Sequence, residues 1–298
     1  MEALAKPKVS VVVVTYGRQE TLPDTLTDLS SQSYPNYEVV VVDQNPDAVP
    51  REGVSVYQLH EPHLCVARNV GIRGSTGEII VFVDDDVRMG PAFLDEHVAA
   101  FSDGVGCVAG WIDSPIPHKN WKPAAPELAS PIGCNMSFRR KALEQAGGFD
   151  SFMKPPAIFA DENELAYRIR RSGWKIKAAP EAILTHLAHT AGGVPTGGDA
   201  KFWRGYVSNH THVFWKTRTW GRALLLPWSA KLFFTVRRLS GGILGPLATI
   251  GAIQNGVGTA AAALYAKDYL DRTPQPMLLR NLAELGPSAT DKGPDSRG

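Results

Sequence analysis

The sequence predicts an α/β fold with a mostly parallel, Rossmann-like central sheet that is flanked by helices. Three runs of β-branched and other apolar residues, at 9–15, 37–43 and 78–84, have the composition of strands that are buried on both faces. Segments with helical spacing separate these runs. Strands that alternate with helices form right-handed βαβ units, whose neighbouring strands are parallel. We therefore expect an open sheet with helices on both sides.

The other elements follow in the order that this sheet requires. Leu22, Leu26 and Leu29 are spaced by four and three residues and predict an amphipathic helix within 19–31. Pro91 stands where the first turn of a helix accepts proline. The pattern further predicts, in chain order, a strand at 54–58, helices at 65–73 and 91–101, a strand at 106–112 and a helix that begins at 161.

Two of the predicted strands end in a carboxylate, Asp43 and Asp84. In open α/β sheets the ligand crevice lies at the carboxyl ends of the strands, although aspartate also begins turns. Asp84 is followed by Asp85 and Asp86, and three adjacent carboxylates repel one another unless a counter-charge is near. Mg²⁺ or Mn²⁺, which prefer oxygen ligands, would supply that charge. The strand end therefore predicts a divalent-cation site.

Several classes of protein are excluded or disfavoured by what the sequence lacks. It contains no GxxxxGK[ST] loop, and the first strand runs into Thr-Tyr-Gly-Arg at 15–18 rather than GxGxxG, which excludes the common P-loop and dinucleotide sites. The three cysteines, at 65, 107 and 134, are too few and too scattered for a disulfide framework or a zinc site. The chain enters its first strand without a signal-peptide pattern, which predicts a cytoplasmic protein.

Five segments follow one another along the first 200 residues. They are the strand that ends in Thr-Tyr-Gly-Arg at 15–18, Asp43, Ala-Arg-Asn-Val-Gly-Ile at 67–72, GEIIVFVDDDV at 77–87 and ADENELAYRIRRSGW at 160–174. Together and in this order they resemble the family 2 glycosyltransferases of the GT-A fold. The resemblance covers about residues 8–200.

The resemblance implies a role for individual residues. The nucleotide of a nucleotide sugar would be bound by Thr15, Tyr16, Arg18, Asp43, Arg68, Asp84 and Asp85. Asp86 and His186 would hold the metal, with His189 as the alternative, although a lone histidine is often a structural residue. The segment 133–137, which precedes a short helix, resembles the donor and acceptor loop, and the pocket residues would be Trp111, Asn135 and Met136. A core position fits Trp111 equally well.

The candidates for a general base are Asp161 and Glu162, at the start of an amphipathic helix. A carboxylate can take the proton of an attacking hydroxyl group if it lies within hydrogen-bond reach. The family usually has Glu-Asp, with the second acid as the base, whereas this chain has the inverted order Asp-Glu. Alignment favours Glu162 and residue type favours Asp161, which could instead cap the helix. Glu162 is the preferred candidate, and the other acid would orient the acceptor.

The C-terminal third has a different composition. Residues 200–267 contain nine basic residues, no acidic residue and four of the seven tryptophans. Such a composition is typical of helices at an anionic membrane surface, although a helical extension that packs on the catalytic domain or on a second copy fits as well. Residues 239–266 carry no charge, but glycine and proline interrupt them, so a spanning helix is disfavoured. We predict a catalytic domain at 1–199, a helical extension at 200–285 and a disordered tail at 286–298.

The expected function is an inverting, metal-dependent transfer of a sugar from a UDP- or dTDP-sugar to a hydroxyl group of a glycan or lipid-linked glycan. The expected cofactor is Mn²⁺ or Mg²⁺. The protein would lie at the inner face of the cell membrane, without a nucleic-acid partner, as a single copy or a homo-oligomer. Two alternatives stay open. A nucleotidyltransferase would carry a longer glycine-rich basic loop than Gly17 and Arg18, and a non-catalytic scaffold would be expected to lose the acidic motifs.

Overall fold

The computed structural model describes residues 6–114, 130–158, 160–189, 199–217, 245–265, 269–273 and 277–279. Its strands are β1 Val9–Thr15, β2 Tyr37–Asp43, β3 Ser55–Gln58, β4 Ile79–Asp84, β5 Val87–Met89, β6 Val105–Asp113, β7 Asn135–Arg139, β8 Lys175–His186 and β9 Met277–Leu279. Its helices are α1 Leu22–Ser30, α2 Leu64–Gly74, α3 Phe93–Ala100, α4 Arg140–Ala146, α5 Asp161–Arg171, α6 Ala200–Thr217 and α7 Gly245–Tyr265. The elements expected in the first half are confirmed to within about three residues.

The described strands form one sheet in the order β5-β8-β6-β7-β4-β1-β2-β3-β9. β3, β2, β1 and β4 are parallel, as expected, because each pair is joined by a crossover. β7 runs antiparallel between β4 and β6, where the sequence predicted a loop. The strand forms because Met136 and Phe138 alternate with polar residues and both become wholly buried.

Successive side chains of the central strands fill two apolar layers, one on each face of the sheet. Val12 of β1 and Phe82 of β4 face one layer, where Phe82, Phe138 and Phe149 meet edge to face with ring centroids 5.3–6.3 Å apart. Val11 and Val13 face the other layer. This double burial explains the continuous β-branched runs and fixes the sheet that carries the acidic strand ends.

The C-terminal segments belong to the same packing unit as the sheet. β9 pairs with the edge strand β3, and Arg73 of α2 donates a hydrogen bond to the carbonyl oxygen of Leu270 at 2.8 Å. α6 packs against α5 and α7. Elements beyond the predicted boundary at 199/200 thus contact elements before it, since β9 pairs with β3 and α6 packs against α5.

The basic residues of the C-terminal region differ in their surroundings. Lys201 and Arg204 are exposed at the start of α6, whereas the Lys216 side chain is only 4% exposed. The remaining basic residues of 200–267, the stretch 239–244 and the tail 286–298 lie outside the described residues. Within the described ranges, none of the helices is both long enough and apolar enough to cross a membrane.

Candidate active site

The acidic strand ends lie at one edge of the sheet. Because β1, β2 and β4 are parallel and in register, Thr15 lies opposite Asp43, and Val14 lies opposite Asp84. The Asp84 side chain is 37% exposed, so a ligand from solvent can reach it. Asp85 and Asp86 form the turn into β5 and are buried.

Arg18 supplies part of the counter-charge for these acids. Its Nη1 atom lies 3.1 Å from Asp85 Oδ1 and 3.1 Å from Asp86 Oδ2. Its Nη2 atom donates to the carbonyl oxygen of His189 at 3.0 Å. Burial raises the pKa of Asp85 to about 6 even though Arg18 acts to lower it. Arg18, predicted to contact a nucleotide, therefore holds the acidic turn in this structure.

His186 lies beside two of the acids because β8 pairs with β5. The register places His186 opposite Val87, and its Nε2 atom lies 3.2 Å from Asp86 Oδ1 and 3.6 Å from Asp84 Oδ2. Burial alone would raise the pKa of Asp86, but His186 and Arg18 outweigh it, so the pKa is lowered. Desolvation raises the pKa of Asp84 despite the nearby His186. His189 contributes its backbone N–H to Asp86 Oδ2 at 3.0 Å, while its side chain is exposed.

These residues fit a divalent cation. Ligand atoms that surround one such ion at its usual bond lengths lie about 3.0–3.5 Å apart, close to the distances between His186 and the two acids. Asp86 Oδ1 is buried and has no hydrogen-bond partner among the described residues. A donor atom of Cys134 lies within 4.8 Å of those of Asp84 and His186. Cys134 was not predicted as a site residue, since the cysteines were judged only by their number and spacing.

The loops after β1 and β2 are tied together beside the acidic edge. Asp43 is fully buried, and its Oδ1 atom accepts hydrogen bonds from the backbone N–H of Asn45 at 2.9 Å and from its side-chain amide at 2.6 Å. Asn45 in turn accepts from the backbone N–H of Gly17 at 2.8 Å. Thr15 is buried at the end of β1, and Tyr16 is 42% exposed. Of these predicted nucleotide-binding residues, Tyr16 therefore presents the most surface to a ligand.

Arg68 joins the acidic edge to α5. It is buried on α2, forms an ion pair with Asp161, and donates to the carbonyl oxygen of Gly133 at 3.3 Å. Burial would lower the pKa of Arg68, but the adjacent Asp161 outweighs it and raises the pKa. Asp161 is the first residue of α5, and the N-cap position belongs to Ala160 in a left-handed conformation with φ of 65°. The structure thus uses Asp161 as the partner of Arg68 and not as a helix cap.

Glu162 has a different environment from its neighbour. It is partly exposed, and Asn163 donates a hydrogen bond to its Oε1 atom at 2.8 Å. Burial of the carboxyl group, together with the charge of Asp161, raises the pKa of Glu162 to about 8. A carboxylate with a pKa near the working pH is well suited to accept a proton. Of the two acids, Asp161 is the one that forms the ion pair with Arg68, whereas Glu162 interacts with that guanidinium group only at longer range.

The predicted pocket residues occupy structural positions. Asn135 is buried, and its side chain donates to the carbonyl oxygens of Trp111 at 2.7 Å and Ala182 at 2.9 Å. Its Oδ1 atom lies 2.9 Å from His97 Nε2. Met136 is wholly buried in the core, and Trp111 is partly buried on β6. Asn135 and Met136 are therefore buried in the sheet, because β7 carries them into the interior.

A second charged cluster lies between α5 and α6 and was not predicted. We call it the α5–α6 network, and it consists of Asp150, Glu164, Arg168, His212, Lys216 and Tyr269. Lys216 Nζ contacts Asp150 and lies 2.7 Å from Glu164 Oε1, and Arg168 Nη2 lies 2.6 Å from Glu164 Oε2. His212 Nε2 lies 2.7 Å from Asp150 Oδ2. The spacing of four residues between Glu164 and Arg168 is a local pattern, but the partners Asp150, Lys216 and Tyr269 come from distant segments.

Two family models of glycosyltransferases match parts of this chain. The model for glycosyl transferase family 2 matches residues 10–153, and the model for glycosyl transferase family 21 matches residues 123–192. A mannosyltransferase from Pyrobaculum calidifontis, solved in complex with GDP-Man and Mn²⁺, has a similar fold, with a TM-score of 0.51 and 22% identity. The alignment covers 88% of this chain and 76% of that one.

Curated relatives are also glycosyltransferases. Glycosyltransferase AglE of Haloferax volcanii is 30% identical over 126 residues, which is 38% of this chain and 41% of the relative. Glucosyl-dolichyl phosphate glucuronosyltransferase of the same organism is 26% identical over 176 residues, 48% of this chain and 56% of the relative. Poly(ribitol-phosphate) beta-N-acetylglucosaminyltransferase TarS of Staphylococcus aureus is 29% identical over 143 residues, 41% of this chain and 24% of the relative. The chain thus spans about half or less of these relatives.

The fold is similar to that of a solved mannosyltransferase, and residues 10–153, just under half of the chain, match the model for glycosyl transferase family 2. The resemblance that the sequence motifs indicated is confirmed.

Proposed function

We propose that this protein is an inverting, divalent-metal-dependent glycosyltransferase. It would move a sugar from a nucleoside-diphosphate sugar to a hydroxyl group of a glycan or lipid-linked glycan. The observation that supports this most directly is that Arg68 forms an ion pair with Asp161, the residue next to Glu162, while its charge also acts on Asp84 at the acidic edge. The charge of Arg68 acts on Asp84 at one end and on Asp161 and Glu162 at the other.

The residues at the acidic edge would bind the donor. Asp86 and His186, with Asp84 beside them, would hold the cation near the diphosphate, while Tyr16 lies exposed next to the same edge. When bound, a divalent cation acts as a Lewis acid that stabilises the negative charge of the departing nucleoside diphosphate.

Glu162 would act on the acceptor. Its ionised carboxylate takes the proton from the acceptor hydroxyl group as that oxygen attacks the anomeric carbon, and the proton later leaves to solvent. A single displacement of this kind inverts the configuration at the anomeric carbon. The ion pair with Arg68 fixes Asp161 at the first turn of α5 and so fixes the backbone that carries Glu162.

Calorimetric titration with UDP, dTDP and GDP, each with and without Mn²⁺, tests the donor site. The sequence favours UDP or dTDP, whereas the solved mannosyltransferase is a complex with GDP-Man. We expect one of the three to bind, and to bind at least tenfold more tightly with Mn²⁺. Asp86→Asn should remove the Mn²⁺ effect, and Asp103→Asn, at an exposed turn, is the matched control. If no nucleoside diphosphate binds, the donor site is wrong and the scaffold alternative is favoured.

We further propose that the protein contacts the cytoplasmic face of the cell membrane without spanning it. The exposed Lys201 and Arg204 on α6 and the exposed Trp215 support this contact. Each basic side chain near an anionic surface contributes about 1 kcal/mol. The full chain should therefore sediment with phosphatidylglycerol vesicles and not with phosphatidylcholine vesicles. Failure to sediment with either kind contradicts the proposal.

A further inference from the structure

Cys134 occupies a place that the proposed function does not use. It lies directly before β7, where the chain re-enters the sheet next to β4, and it is 5% exposed. A donor atom of Cys134 lies within 4.8 Å of a carboxylate oxygen of Asp84 and a ring nitrogen of His186. The other two cysteines, Cys65 and Cys107, are wholly buried in the apolar core. Cys134 is therefore the cysteine that the fold brings to the acidic edge.

The backbone around Cys134 is fixed from both sides. The N–H of Asn135 donates to the carbonyl oxygen of Ile132 at 2.9 Å and closes a tight turn. The Asn135 side chain is held by Trp111, Ala182 and His97, so the residue next to Cys134 cannot shift without breaking three hydrogen bonds. The position of the thiol at the edge is thus set by the fold and not by a mobile loop.

An independent observation indicates that a ligand belongs at this place. Asp86 Oδ1 is buried and has no hydrogen-bond partner in the described part of the chain, although His186 Nε2 lies 3.2 Å away. A buried carboxylate oxygen without a hydrogen bond lowers the stability of the folded state unless a cation is bound beside it. The Asp86 carboxylate and the Cys134 thiol therefore both lie near the imidazole ring of His186.

We infer that Cys134 Sγ is a ligand of the divalent cation, together with Asp84, Asp86 and His186. This inference rests on the metal-dependent function proposed above and adds a sulfur atom to its donor set. On binding, the S–H bond breaks, a sulfur–metal bond forms, and the proton leaves to solvent. Sulfur and imidazole ligands favour the softer divalent cations Co²⁺, Zn²⁺ and Cd²⁺ over Mg²⁺, which prefers oxygen alone. The site should therefore discriminate against Mg²⁺.

Cobalt absorption spectroscopy tests the ligand directly, without measuring activity. The full chain is titrated with Co²⁺ and compared with Cys134→Ser, with Cys107→Ser as the matched control at a buried cysteine in the core. We expect the wild type and Cys107→Ser to show a sulfur-to-cobalt charge-transfer band in the near ultraviolet. Cys134→Ser should lose that band and keep the weaker visible bands of bound Co²⁺. The same variant should bind Cd²⁺ at least about tenfold more weakly and change little toward Mg²⁺.

The outcomes separate this inference from the function on which it rests. If Co²⁺ binds to the wild type without a charge-transfer band, or if the band persists in Cys134→Ser, the cysteine is not a ligand, but the metal-dependent function stands. If neither Co²⁺ nor Mn²⁺ binds to the wild type, with or without nucleoside diphosphate, both are wrong. Cadmium NMR of the wild type alone reports sulfur coordination by chemical shift, so the test does not depend on the folding of a variant.

Discussion

The acidic edge and the α5–α6 network are both clusters of charged residues, but they differ in how the charges are balanced. At the acidic edge, three consecutive carboxylates at 84–86 are contacted by one guanidinium group, that of Arg18, and by the imidazole of His186. In the α5–α6 network, two carboxylates are contacted by Lys216, Arg168 and His212.

The hydrogen bonds differ in the same way. The four carboxylate oxygens of the α5–α6 network all have partners, including the backbone N–H of Phe152, which donates to Asp150 Oδ1 at 2.9 Å. At the acidic edge, Asp86 Oδ1 has no hydrogen-bond partner among the described residues. A balanced, satisfied cluster stabilises the fold, whereas an unbalanced cluster that solvent can reach is suited to bind a cation.

Glu164 of the α5–α6 network and Asp85 of the acidic edge should also respond to pH with opposite sign. Arg168 and Lys216 lower the pKa of Glu164 although burial acts to raise it, so its stabilising contribution is present at neutral pH and is lost as pH falls into the acid range. Burial raises the pKa of Asp85 to about 6, so that group favours the folded state at low pH and loses this contribution as pH rises through about 6. A bound cation would remove the second effect and leave the first.

The largest expected effect is a loss of kcat on substitution of Glu162. Glu164, two residues further along α5, should instead affect stability. Glu162→Gln should lower kcat about a hundredfold to ten-thousandfold, because the amide cannot accept the proton, while donor binding is unchanged. Glu164→Gln should destabilise the fold instead and leave kcat per folded molecule unchanged, because Glu164 contacts Lys216 and Arg168. Steady-state kinetics and urea unfolding of both variants measure the two effects.

The pH dependence of the rate adds a second readout for Glu162. Because the ionised carboxylate is the base and its pKa is raised to about 8, kcat of the wild type should rise with pH and level off above about 8. Glu162→Gln should lack this rise. If Glu162→Gln retains wild-type kcat and Asp161→Asn loses it, the base is Asp161 and the assignment is reversed.

A smaller effect is expected when each cluster loses one positively charged side chain. Lys216→Met leaves Asp150 and Glu164 facing each other without their shared partner, and should cost about 3–5 kcal/mol of unfolding free energy. Arg18→Gln removes the guanidinium group from the acidic edge and should cost less, about 1–3 kcal/mol, because solvent reaches part of that cluster.

Mn²⁺ should distinguish these two variants. Saturating Mn²⁺ is expected to restore most of the stability of Arg18→Gln, because the ion replaces the missing positive charge, and to restore none of the loss in Lys216→Met. Thermal unfolding of both variants with and without Mn²⁺ measures this difference. Equal rescue of both, or of neither, would show that the two clusters do not differ in the way that their contacts indicate.

Much of the fold could be predicted because its signals are local. The β-branched runs that form β1, β2 and β4 are continuous because both faces of these strands are buried. Such strands require apolar side chains at consecutive positions, which the sequence shows directly. Strand β7 was missed because its alternating pattern extends over only five residues, and its antiparallel pairing with two distant strands depends on the tertiary structure. β9 was missed for the same reason, since only its pairing with β3 makes it a strand.

The sequence by itself determined the fold class, the family resemblance and the acids at the strand ends, because each depends on residues that are adjacent or regularly spaced. Only the tertiary structure decided what each charge contacts. It paired Arg68 with Asp161, placed Arg18 against the acidic turn and enclosed Lys216 between Asp150 and Glu164. Ion pairs and desolvation act through space over a few ångströms, and no spacing along the chain encodes which distant segments come that close.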